Sequence, residues 1–131
     1  MEPTLEDFDK FNGLEFDWFA QDVTGAIGLF STAGYGEIPV DVMRQEQNHR
    51  AIAESIPNPS FGTKYVWQDF AQVGLFVFDW KHWAGPYLKV ASPLFPAPES
   101  IRNEVLKIPS LPRILLKFDE VNSVTVERFQ L

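Results

Sequence analysis

The 131 residues contain no cysteine. Disulfides, thiol nucleophiles and thiolate metal ligands are therefore all excluded. Histidine is almost as scarce, with only His49 and His82. His49 has Glu46 and Ala53 at i−3 and i+4, which make no metal pair, and His82 sits beside a turn in DWKHW. Both are read as solvent-facing or edge histidines, and neither a metal nor a cofactor is expected. No apolar run approaches the roughly 20 residues that cross a bilayer. The start, MEPTLEDFDKF, lacks the cationic and then apolar order of a signal peptide. The expectation is a cytoplasmic protein with no membrane partner. No clustered Lys and Arg are available to neutralise phosphates, so nucleic acid is not an expected partner either. The glycines of TAGYGEIPVD come with no Lys, and Glu37 stands where an anion would bind, which argues against a phosphate loop. No serine lies in a G-x-S-x-G turn.

What is present is core material and acid. Hydrophobic residues make up 45% of the chain and aromatics 15%. At this length a single domain spanning 1–131 buries roughly two-thirds of the surface of its unfolded chain. The net charge of −7 is uneven: residues 1–22 hold seven carboxylates against Lys10 alone. Residues 1–13 are read as an acidic, mobile leader, and such an end steers a basic partner.

The hydrophobic pattern gives the elements. From Leu14 to Gln21, Leu14, Phe16, Trp18 and Ala20 alternate with Glu15, Asp17, Phe19 and Gln21, the period of a half-buried strand. DVTG is a turn opened by Asp22 and closed by Gly25. AIGLFST returns as the second arm of a hairpin, in which Gly28 lets a bulky cross-strand aromatic lie over the backbone. A helix is predicted from Pro39 to about Ile56, then a second, capped by Thr63, up to Gly74, with a strand at KYVW as the alternative. LFVFDW and YLKVASPL form a second hairpin. A short helix near 98–106 follows, and RILLKFDEV and SVTVERF read as closing strands. The fold class is α+β: a single domain with a mostly antiparallel sheet of hairpins and two to three helices on one face.

The ordered pattern D-W-F-A-x-D-x-x-G-x-I-x-x-F-x-T-A-G over Asp17–Gly34 is followed by IP at 38–39, GLFVFDW at 74–80, YLKVASPL at 87–94, PESIRNEVLKI at 98–108 and then LLKF. Across about residues 14–126 the chain resembles small bacterial proteins of the polymorphic-toxin immunity type. The resemblance implies a cytoplasmic, cofactor-free protein that binds and blocks a toxin domain. It brings no catalytic motif, so no residue is carried over as functional.

Three functions follow. The leading one is a non-enzymatic binding domain, a monomer or weak homodimer, that covers a basic toxin domain. Its partner-binding residues would be Asp7, Asp9, Glu15 and Asp17, with Trp80, His82 and Trp83 from DWKHW. One of the two tryptophans is expected at the surface, where an exposed ring suits an interface anchor. The alternative is a small-ligand-binding protein or enzyme with a pocket between sheet and helices, lined by Asp17, Asp79, Trp80 and His82. The third is self-association by edge-strand pairing.

Overall fold

The computed structural model describes residues 13–130. Asp7, Asp9 and all of the acidic leader except Gly13 lie outside the described residues. Seven strands build one sheet: β1 (Asp17–Gln21), β2 (Ile27–Ser31), β3 (Phe76–Asp79), β4 (Tyr87–Ala91), β5 (Arg113–Ile114), β6 (Ser123–Val124) and β7 (Phe129–Gln130), in the spatial order β6-β4-β3-β2-β1-β5-β7. The helices are α1 (Val40–Arg44), α2 (Glu46–Ser55), α3 (Val66–Gln72) and α4 (Glu99–Leu106). The fold is α+β. Both predicted hairpins, β1–β2 and β3–β4, are antiparallel, but β2 joins β3, and β1 joins β5, in parallel. The sheet is therefore mixed, mostly antiparallel. The β2–β3 pairing joins the two hairpins, and the connection between those strands carries α1, α2 and α3.

The first turn is built as its residues dictate. Asp22 Oδ1 accepts from the Thr24 N–H at 2.8 Å, the Thr24 hydroxyl at 2.7 Å and the Ala26 N–H at 3.0 Å. Gly25 follows at φ +90, a conformation that glycine enters freely. The second oxygen, Oδ2, accepts from the Phe118 N–H at 2.8 Å, so the same side chain fastens the C-terminal segment to the hairpin. Phe118 then lies over Gly28, where a Cβ would meet its ring at 2.9 Å. The aromatic over Gly28 is there as predicted, although it comes from a 3₁₀ turn (Phe118–Glu120) rather than from a neighbouring strand.

Opposite faces of the sheet carry different cores. On one, Trp18, Phe30 and Phe78 sit in register across β1, β2 and β3 and stack at centroid distances of 4.5 and 4.7 Å. Tyr87, Phe118 and Phe129 meet this ladder edge-on or tilted. On the other, Phe19, Leu29 and Val77 pack beneath α2, α3 and α4 through Ala53, Phe70 and Val105. This covering corrects the half-buried reading of β1. Its second face is as dry as its first, because α2 lies on it within a helix-covered core.

Three further expectations change. The single helix from Pro39 to Ile56 is two, broken at Gln45 (φ −119). The break lets α1 send Val42 into the aromatic cluster while α2 sends Ala53 to the opposite core, which one straight helix cannot do. His49 is not solvent-facing: it is fully buried, and its Nδ1 accepts the Phe19 N–H at 3.0 Å. β5 reaches β1 only at Gln21, so α2 takes over the flank that β5 leaves. The closing strands shrink to two residues each, separated by 3₁₀ turns. With β6 and β7 as its outer strands, the sheet offers little edge for strand addition.

Candidate functional site: the acidic end of the sheet

The residues at this site follow from strand pairing. The Asp22–Gly25 turn sets Asp17 opposite Ser31, and the parallel β2–β3 register sets Ser31 opposite Asp79. Each of the three is one residue from the aromatic ladder and so projects to the helix side of the sheet. The result is an acid–hydroxyl–acid row where β2 and β3 end and β1 begins, with exposed Glu15 two residues before Asp17.

Its electrostatics follow from crowding. Burial pushes the Asp17 carboxyl up to about 6 from 3.8; the Ser31 hydroxyl bonded to it opposes the rise, and Glu15 and Asp79 add to it. Asp79 is also raised, first by burial and then by Glu15, while Lys81 and the Trp80 backbone N–H pull it down. Two aspartates raised by burial and by a neighbouring carboxylate form a site short of positive charge. A cation placed there relieves both the burial and the repulsion.

A cavity of about 640 Å³ opens over Asp17 and Ser31. Its apolar wall is Val66, Trp67 and Phe70, and Arg50 and Glu54 of α2 reach it from the side. The remaining wall is the connection between α2 and α3. That connection is held in place by Asp69 of α3, which accepts the Ser60 N–H at 2.8 Å, and by Thr63, whose hydroxyl donates to the Ser60 carbonyl at 2.8 Å. Asn58 Oδ1, on the same wall, is buried with no hydrogen-bond partner among the described residues.

The sequence-predicted site residues divide. Glu15 and Asp17 come together at the cavity, and Asp79 stands in β3, beyond Ser31 of β2. Trp80 is withdrawn: it is 6% exposed, packs on Tyr87 at 4.9 Å and donates from Nε1 to the Trp83 carbonyl at 3.1 Å. Its expected part as an anchor is corrected, since its ring belongs to the core. Trp83 is 87% exposed, and His82 beside it is exposed as well. A cavity lies between sheet and helices, and of the four residues expected to line a ligand pocket there only Asp17 does. Asp22, another carboxylate of the hairpin, is committed to the turn. Ser31, Arg50, Asn58 and Trp67 are the lining residues that sequence reasoning missed. For Ser31 the signal was available in the hairpin register.

Among the described residues no group of three His, Asp or Glu side chains is arranged to hold a metal ion. No helix among them is long and apolar enough to cross a membrane. Comparison of the chain with known protein families, with curated proteins and with solved structures finds no match.

Proposed function

We propose that the protein is a non-enzymatic binding domain of the immunity type, which neutralises a basic toxin domain by docking it on the acidic end of the sheet. The observation that supports this reading most is the row Asp17–Ser31–Asp79 with Glu15 beside it, in which burial and repulsion from Glu15 raise both aspartates. A Lys or Arg from a partner removes that penalty on contact. Exposed rings stand on the segments around it. Tyr35 is 72% exposed on the segment that leaves β2, Trp83 lies on the loop that leaves β3, and Phe61, 81% exposed, is on the cavity wall. Tyrosine and tryptophan dominate the energetics of protein interfaces, and charge around them sets partner choice and association rate. The resemblance over residues 14–126 supplies the toxin as the class of partner.

The test is capture from native lysate at low salt by the wild-type protein, Glu15→Lys, Trp83→Ala and a control, Glu127→Lys, at an exposed position on the 3₁₀ turn before β7. The wild type and the control should retain one basic polypeptide at unit stoichiometry, released by a salt step, and the other two variants should lose it. That polypeptide should arrest growth when expressed alone and be harmless when co-expressed with the wild type. Capture indifferent to Glu15→Lys and Trp83→Ala, or a captured chain that is harmless alone, would count against the reading.

A further inference from the structure

We propose that the cavity over Asp17 binds a small organic cation, an ammonium group carried on an aromatic body. This goes beyond protein docking and does not depend on it. The cavity's volume, about 640 Å³, falls within the roughly 300–1,000 Å³ of small-molecule sites. Its walls offer rings and aliphatic surface from Val66, Trp67 and Phe70, on which an aromatic body packs and over which a cation is favoured.

The polar groups decide the charge of the ligand. Facing the cavity are hydrogen-bond acceptors that need a donor: the Asp17 carboxylate, bonded to the Ser31 hydroxyl, and Asn58 Oδ1, which has no partner among the described residues. Glu15 and Glu54 add negative charge at the lining. Arg50, the one cation among the described lining residues, is engaged with Glu46 at 3.4 Å on its own helix. An anionic ligand would meet three carboxylates. A neutral one would leave Asp17 desolvated and uncompensated. An ammonium supplies N–H donors to Asp17 and Asn58 together with the missing charge.

The same arrangement makes binding depend on pH. Asp17 faces Glu15 from its own chain segment, Asp79 from β3, with Lys81 beyond it, and Arg50 and Glu54 from α2. In the empty site its carboxyl titrates at about 6, so at pH 5 only about a tenth of the molecules carry the charge the ligand needs, and apparent affinity falls about tenfold.

The experiment is calorimetric titration of the full chain at pH 7.5 with tryptamine and its neutral and anionic counterparts, indole-3-ethanol and indole-3-propionate. Tryptamine should bind about tenfold or more tightly than either, weaken about tenfold at pH 5, and lose about the same in Asp17→Asn. Replacing a desolvated carboxyl by its neutral isostere leaves the fold intact, which circular dichroism checks. Trp67→Ala serves as a second variant that removes wall and not charge, and it should weaken tryptamine and indole-3-ethanol alike. Equal affinity for the amine and the alcohol would overturn the proposal, as would no tryptamine binding at millimolar concentration or full binding by Asp17→Asn.

Discussion

Asp17 and His49 lie on the same side of β1 and push stability in opposite directions over one pH range. Asp17 titrates at about 6 in the fold against 3.8 ordinarily, so between those values the folded protein holds the extra proton. The stability Asp17 contributes is therefore greatest at low pH and declines as pH rises through that range, then stays level. His49 is the reverse case. Burial lowers it to about 4 from 6.5, and with Nδ1 accepting from Phe19 its neutral ring carries the proton on Nε2, which is buried without a partner. Between those values the unfolded chain holds the extra proton, so stability is full above 6.5 and falls as pH drops toward 4. Asp17→Asn removes the first effect and leaves the second. We expect it to raise stability at pH 7 by about 1–2 kcal/mol, and to make stability climb more steeply between pH 4 and 6.5 than in the wild type. Urea denaturation at four pH values measures both. Lower stability at pH 7 with an unchanged slope would show that the carboxyl is not desolvated.

At the scale of elements, the two hairpins were readable because strand periodicity and turn chemistry agree. Asp22 opens the β1–β2 turn and Gly25 closes it, while Trp18, Phe30 and Phe78 alternate to one face as the pattern requires. Asp22→Ala removes an acceptor for four donors, including the Phe118 N–H. It should destabilise by about 2–4 kcal/mol, in keeping with the loss of several bonds to a charged group, and it should loosen Phe118 from Gly28. Thermal melts and the Phe118 amide exchange rate report the two effects separately. Less readable was whatever depends on a distant partner. The break at Gln45 carries no glycine or proline; its cause is that Val42 and Ala53 must reach opposite faces of the sheet. The burial of His49 in a polar stretch, QEQNHR, depends on β5 pairing with β1 only at Gln21. The parallel β2–β3 and β1–β5 pairings join segments separated by long stretches of chain, and local periodicity does not encode them.

For the whole molecule, the site was half legible. Glu15 and Asp17 could be named as acids near the start of β1, and Trp80 and Trp83 as a pair of which the turn exposes one. The sequence did not show that the β2–β3 pairing extends the Asp17–Ser31 pair to Asp79, or that the α2–α3 connection closes a cavity above them. Trp80, adjacent to Asp79, was indistinguishable from Trp83 until packing placed it against Tyr87. Charge balance alone marked the molecule as acidic; the fold gathers part of that charge where two parallel strands end. Both the docking of a basic partner and the binding of an organic cation depend on Asp17 being a carboxyl held out of water at that end. Its titration is the most direct measurement, followed through the ¹³C shift of its carboxyl carbon in the wild-type protein, with Asp17→Asn used to assign the signal. A midpoint near 6 is the predicted result. A midpoint near the 3.8 of an unburied aspartate would contradict the desolvated acidic site and both functions built on it.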